Sequence, residues 1–142
     1  MRMQSTEATC GAAALSNALK AVGLPRSEEE MMKLASSTSN GTSMAGLIRA
    51  LRAVGRTPTK IAEVREQVAV IRLVVSLQCG HPVVMCVDAW EHWVVAVGLL
   101  GSGGSPRIVV VDSASLELTH VYTLSELVDR WRHGNKFSGV TV

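Results

Sequence analysis

His92-Trp93-Val94-Val95-Ala96-Val97-Gly98-Leu99-Leu100, a turn over Gly101–Pro106, and then Arg107-Ile108-Val109-Val110-Val111-Asp112 form the stretch that decides the fold. Both apolar runs are rich in β-branched residues, and Gly, Ser and Pro crowd the span between them. That is the pattern of two antiparallel strands joined by a hairpin turn. In a hairpin the start of the first strand lies beside the end of the second, so His92 and Asp112 are predicted neighbours at one end of a sheet. The chain before this hairpin reads mainly as helix. Helices first and mostly antiparallel strands afterwards make an α+β layout.

Moving back from the hairpin, Asp88–Glu91 reads as a loop and Pro82–Val87 as a buried strand, set off by Gly80. Glu63–Gln78 is predicted helical because Val64, Val68, Ile71 and Val75 recur at helical spacing, although Val68–Val75 is also β-rich. Thr57–Ala62 is a short strand that Pro58 confines to a sheet edge or to its own start. Met44–Val54 is a helix capped by Thr42 or Ser43, with Leu47, Leu51 and Val54 on one face and Gly55 as its stop. Ser36–Thr42 is polar, with an Asn40-Gly41 turn signal. Ser27-Glu28-Glu29-Glu30 is a capping box that opens a helix to about Ser36. Cys10–Val22 is helical and ends in the order Gly23, Pro25. Met1–Thr9 is looped or extended. Beyond the hairpin come a strand at Thr119–Tyr122, a helix from about Glu126 to Trp131 capped by Thr123 or Ser125, and a last strand at Phe137–Val142. With no internal repeat, low-complexity segment or linker, residues 1–142 read as a single domain.

Composition bounds the function. The chain has 142 residues, 47% hydrophobic and 18% charged, which suits a folded domain with a real core. A net charge of +2 gives no ground for nucleic acid or a membrane surface as the main partner. The longest apolar run, Val94–Leu100, is too short to span a bilayer, so no direct membrane insertion is expected. Cys10, Cys79 and Cys86 are an odd set in a chain without a secretory signal. They are read as reduced thiols of a cytoplasmic protein, or of one on the cytosolic face of a membrane.

Chemistry starts at Gln4-Ser5-Thr6-Glu7-Ala8-Thr9-Cys10-Gly11-Ala12-Ala13-Ala14-Leu15, where a polar run gives way to a helix at Cys10. Free N–H groups and the positive end of the helix dipole favour thiolate there. A catalytic thiol needs a base within hydrogen-bond reach and a group that orients the base. His92 and Asp112, brought together by the hairpin, can fill those two positions. Each residue alone has a plainer reading: Cys10 as helix packing, His92 as a strand-end histidine, Asp112 as a turn residue bonding local backbone, Gln4 as a solvated terminal side chain.

Taken in order, Gln4, Cys10-Gly11-Ala12-Ala13-Ala14-Leu15, Gly41-Thr42-Ser43, Gly80-His81-Pro82, His92-Trp93-Val94-Val95 and Asp112 resemble the C39 family of cysteine peptidases, a branch of the papain-like fold. Thr9 stands where that family often has an acidic residue. The resemblance implies N-terminal helices packed on a mainly antiparallel sheet. It implies Cys10 as nucleophile, His92 as general base and acid, and Asp112 as orienting residue. Gln4 and the Cys10 backbone N–H would be donors to the oxyanion. It further implies a peptide or protein substrate, in some members a leader peptide cut after a double glycine, and an ABC-type exporter as partner. No cofactor and no metal are expected.

Two other functions share these residues. An amine in place of water would capture the same thioester, giving acyl transfer or deamidation, and relatives without the cysteine are peptide-binding modules. A zinc set of Cys79, His81, Cys86 and His92 has the wrong spacing, with a buried strand running through it. Cys79 and Cys86 are read as core or near-core thiols. Met31, Met32 and Met44 are read as core fillers. The basic run Arg130–Lys136 is read as a solvated helix end with Trp131 packed.

Overall fold

A computed structural model of the chain describes residues 10–36, 41–88, 92–101, 105–114 and 118–142. In chain order the elements are α1 (Cys10–Ala21), α2 (Glu28–Leu34), α3 (Met44–Ala53), β1 (Thr59–Glu63), α4 (Glu66–Gln78), β2 (Val83–Val87), β3 (His92–Leu100), β4 (Arg107–Val111), β5 (Thr119–Thr123), α5 (Leu124–Trp131) and β6 (Phe137–Thr141). Helix starts follow side-chain chemistry. Ser27 accepts from the Glu30 N–H, Ser43 from the Gly46 N–H, and Thr123 closes a reciprocal capping box with Glu126. At the end of α1 the chain turns through Gly23, whose φ of 79° a side chain would resist.

All strand pairings are antiparallel, in the order β1-β6-β2-β3-β4-β5. The last strand to be synthesised therefore inserts between β1 and β2 and holds them together. Pro58 immediately precedes β1, which is an edge strand.

Strand alternation sorts the core into two layers. Val84 and Cys86 of β2, with Trp93 and Val95 of β3, pack with Leu15, Leu19, Met31, Leu47 and Leu51 of α1, α2 and α3. Val83, Met85 and Val87, with Val94, Ala96, Ile108 and Val110, pack with Leu73 and Leu77 of α4 and Leu127 and Trp131 of α5. The sheet is thus covered on both faces, by the N-terminal helices on one and by α4 and α5 on the other.

Four expectations shift. The helix after β1 begins at Glu66, and Glu63 belongs to the strand. The buried stripe of α4 is Ala69, Leu73 and Leu77, at a strict spacing of four, while Val64, Ile71 and Val75 are exposed. Ile71 and Val75 face away from the sheet, while Val70 packs at the margin of the second layer. Cys79, the C-cap of α4, is exposed rather than near the core, whereas Cys86 is buried. Of the three methionines, Met31 is buried, while Met32 and Met44 are half-buried at the margin of the first layer.

Trp131 anchors the second layer. It is fully buried, its indole N–H donates to the Ser138 carbonyl at 2.8 Å, and its ring meets Phe137 edge-on at 5.3 Å. Replacing so large a buried ring by alanine removes about 3–5 kcal/mol. Trp131→Ala is expected to lower Tm by roughly 10 °C or more in a thermal melt.

Candidate active site

The hairpin predicted from sequence is present, with a deviation that matters. The register runs Leu100↔Arg107, Leu99↔Ile108, Gly98↔Val109, then slips to Ala96↔Val110 and Val95↔Val111, leaving one extra residue on β3. This β-bulge beside Gly98 reverses the facing of the strand. Val94 and Ala96 point into the α4–α5 layer, and beyond the bulge Leu99 does so. His92 and Asp112 come out at the same end of the sheet, as the hairpin geometry requires.

The His92 Nε2 lies 2.6 Å from Asp112 Oδ1, the length of a short charge-assisted bond. Both side chains are largely shielded from water, at 13% and 8% exposure. The Asp112 Oδ1 also accepts the Ala114 N–H at 3.1 Å, so the local turn bond exists beside the bond to His92. Oδ2 accepts from Arg130 at 3.0 Å.

Cys10 is the first residue of α1 and is buried. Burial by itself pushes its thiol up. The hydrogen bond to the His92 side chain, the Trp93 and Gly11 backbone N–H groups and the charge of His92 outweigh that, and the thiol sits below its ordinary value. Burial likewise pulls His92 down, but the bonds to Asp112 and Cys10 and the charges of both raise it to about 9. Asp112 resists ionisation through burial, yet His92, Arg130 and the Ala114 N–H hold its carboxyl well below the usual carboxylate range. These directions all favour a thiolate–imidazolium pair, with the Asp112 carboxylate beside the imidazolium. With Nε2 committed to Asp112, Nδ1 is the ring nitrogen left to serve Cys10.

The sign for stability follows from the same directions. His92 is raised in the folded state, so its contribution is complete below its unfolded value of about 6.5 and is lost as pH rises through about 9. Asp112 is depressed, so its contribution is present above about 3.9 and is lost as pH falls through its folded value.

Gly11 explains how α1 reaches the sheet. A Cβ there would stand 2.6 Å from the Thr42 Cβ, 2.9 Å from its hydroxyl and 3.2 Å from the Trp93 ring. Trp93 is in turn fixed by its indole N–H, which donates to the Thr42 carbonyl at 3.1 Å. Gly11→Ala is expected to force α1 away from Trp93, costing about 1–3 kcal/mol of stability and lowering the rate at which Cys10 is alkylated. Thiol-labelling kinetics of the folded variant check this.

A cleft of about 360 Å³ opens beside this junction, lined by Thr42, Met44, Lys60, Ala62, Cys86, Trp93, Lys136 and Ser138. Its floor is apolar and its rim carries two lysines. The Cys86 thiol in that floor is pushed up to about 11, first by burial and then by the neighbouring charges of Cys10 and Asp88, so it stays protonated.

Of the residues singled out from sequence, Cys10, His92 and Asp112 are brought together, while Gln4 lies outside the described residues. The sequence reading missed Arg130 and Asp88. Arg130 looks like a cation on a helix end, and nothing in its spacing reveals that it turns inward to Asp112. Among the described residues no group of three or more His, Cys, Asp and Glu is placed to hold a metal ion, and no helix is long and apolar enough to cross a membrane.

The sequence model of the carboxymuconolactone decarboxylase family matches residues 7–78. No curated protein sequence matches the chain. Among solved structures, the peptidase domain of Streptococcus ComA, a bi-functional ABC transporter involved in a quorum-sensing pathway, is similar over 98% of this chain and 93% of that one, with a TM-score of 0.72 at 15% identity. A double-glycine-motif protease from an AMS/PCAT transporter, solved in complex with a leader peptide, is similar over 98% of this chain and 85% of that one, with a TM-score of 0.71 at 18% identity. The peptidase domain of Streptococcus mutans ComA gives a TM-score of 0.62 at 12% identity, over 99% and 95% of the two chains. The fold is therefore the α+β, papain-like fold of C39 peptidase domains. The matched span 7–78 holds α1 to α4 and β1, with Cys10 as its one cysteine and none of the four histidines.

Proposed function

We propose that this chain, which by its sequence match over residues 7–78 belongs to the carboxymuconolactone decarboxylase family, acts as a C39-type cysteine peptidase with Cys10, His92 and Asp112 as its catalytic residues. The observation that carries this reading is the site itself: a buried thiol at a helix start, depressed by contact with an imidazole that a carboxylate holds at 2.6 Å. Two of those three residues lie outside the span of the family match. The proposed chemistry therefore rests on the assembled site and not on the family match.

Cys10 thiolate attacks the substrate carbonyl carbon. Negative charge builds on the carbonyl oxygen, and the Cys10 backbone N–H, at a helix start, together with the Gln4 side chain would donate to it. One such preset donor is worth about 3 kcal/mol of barrier. The His92 imidazolium gives its proton to the departing amine and leaves a thioester. The neutral imidazole then takes a proton from water as the water attacks, the thioester breaks, and Cys10 is released as thiolate beside a restored imidazolium. Asp112 stays ionised and keeps the ring in orientation throughout.

In this reading residues 1–142 form one peptidase domain. The cleft beside Trp93 takes the peptide, a protein or leader peptide cut after a double glycine being the first candidate. That choice leans on the similar protease solved with a leader peptide. An ABC-type exporter would be the partner and the cytoplasm, or the cytosolic face of a membrane, the location.

The pH dependence of cleavage tests the mechanism. kcat/KM is expected to follow a bell, rising on an acid limb below the ordinary thiol value and falling on an alkaline limb near pH 9, where His92 loses the proton the leaving amine needs. A rate that keeps climbing past pH 10 would count against an imidazolium acid. Product masses with and without added amine separate hydrolysis from acyl transfer, and hydrolysis is expected to dominate.

A further inference from the structure

Arg130 stands in the last turn of α5, where a basic side chain ordinarily faces water and complements the helix dipole. Here it turns inward. Its Nε and Nη2 donate to the two Asp88 oxygens at 2.9 and 2.8 Å, a bidentate pairing. Nη2 also donates to Asp112 Oδ2 at 3.0 Å, and Nη1 donates to the Tyr122 hydroxyl at 3.1 Å. The Arg130 carbonyl accepts the Asp88 N–H at 3.1 Å, which closes the pairing through the backbone as well. One side chain thus ties α5 to Asp88 past the end of β2, to Asp112 past the end of β4 and to Tyr122 in β5. Asp88 itself has a φ of 54°, in the left-handed region that Asp enters more readily than most residues with a side chain.

We propose that Arg130 is a positioning residue of the Cys10–His92–Asp112 site, clamping the Asp112 carboxylate so that Oδ1 stays aimed at His92. The inference rests on the thiol-peptidase reading. A carboxylate turns easily about its last bond, and this one is 8% exposed, so water does little to fix it. Oδ1 serves His92 and Ala114, and the Oδ2 bond is the one to Arg130. Without the guanidinium, Oδ2 loses a charged partner and Asp88 and Asp112 lose the cation they share. A less aligned imidazolium and more uncompensated negative charge both disfavour the Cys10 thiolate. The ionisable groups that bear on the pair are Cys86 and Asp88 from the β2 end, Asp112 from just past β4, Tyr122 from β5 and Arg130 from α5. Of these Cys86 is protonated. A lysine cannot take over, because its single ammonium lacks the planar fork that reaches both carboxylates and the phenol together.

The test measures Cys10 alkylation by iodoacetamide against pH, located by peptide mass mapping so that Cys79 and Cys86 are counted apart, together with kcat and KM for peptide cleavage. Arg130→Gln is expected to move the Cys10 midpoint up by about one pH unit, a tenfold slower alkylation on the acid side. It is also expected to lower kcat about tenfold or more with KM little changed. Arg130→Lys, which keeps the charge, is expected to recover the midpoint in part and to leave kcat low. A folded Arg130→Gln with the wild-type midpoint overturns the proposal. So does an Arg130→Lys with wild-type kcat, which serves if the glutamine variant does not fold. A wild-type midpoint at the ordinary thiol value would instead strike at the thiol-peptidase reading itself, whatever Arg130 does.

Discussion

Cys10→Ala is expected to abolish peptide cleavage, with kcat falling by about 10⁴-fold or more. The size follows from what is lost. Every covalent step passes through the sulfur, and no other thiol can substitute. Cys86, nearby in the cleft floor, is held protonated by burial and by the charges of Cys10 and Asp88, and Cys79 is exposed on the far end of α4. Serine is expected to fare little better. The imidazole is tuned to stay protonated to about pH 9 beside a thiolate, and a serine hydroxyl presents no preformed anion to match it. The fold should survive, because Cys10 is a small residue at the rim of the first layer and alanine fits its helix. A circular dichroism spectrum and melt like the wild type, with cleavage lost, is the expected pair of results. Cleavage at the wild-type rate in Cys10→Ala would end the proposed mechanism.

Much of this site can be read before any coordinates. A hairpin is a local structure, so the proximity of His92 and Asp112 follows from two β-rich runs and a turn. The thiol at a helix start follows from the break at Cys10 and the small residues after it. What the sequence conceals is long-range. The insertion of β6 between β1 and β2 pairs Phe137 with Glu63 and Val140 with Val84, and nothing in a short strand around Gly139 specifies such partners. The bulge at β3 is hinted at by Gly98 but not placed by it. The facing of α4 is hidden because two apolar stripes compete. The Val64–Val75 stripe looks the stronger by composition, yet Ala69, Leu73 and Leu77 are the residues buried against the sheet. Arg130 is hidden for a related reason: its role depends on α5 ending beside β2 and β4, elements far away in the chain.

The family match and the fold likeness divide along the same line. The family match spans residues 7–78, which hold α1 to α4, β1 and Cys10. The sheet that follows supplies His92 and Asp112, and only the whole chain produces the likeness that extends over 98% of it. A thiol on a helix is a common starting point for several chemistries. In the proposed reading the base and its carboxylate would direct that thiol to peptide-bond hydrolysis, so the second half of the chain bears more on the function proposed than the first.

His92→Ala should therefore be nearly as damaging as loss of the nucleophile, and it should fail in a distinguishable way. Cleavage is expected to fall by about 10⁴-fold, since the imidazole acts as acid in the first step and base in the second. Unlike Cys10→Ala, this variant keeps its thiol, and the thiol reports on the electrostatics. Burial raises the Cys10 value, and the hydrogen bond to the His92 side chain is the leading opposing effect, ahead of the Trp93 and Gly11 backbone N–H groups. With the imidazolium gone, burial is opposed by backbone donors alone. The Cys10 alkylation midpoint is then expected to rise into or above the ordinary thiol range, with the acid limb of the reactivity profile disappearing. Asp112 would keep its Arg130 and Ala114 partners, so the sheet end should hold together. A His92→Ala protein that is folded and inactive, yet alkylated at low pH as fast as the wild type, would show that the depressed thiol owes nothing to His92. The Trp93 and Gly11 backbone N–H groups and the helix start would then have to account for it, the dipole supplying the 0.3–1 kcal/mol typical of such an effect, which is less than one pH unit.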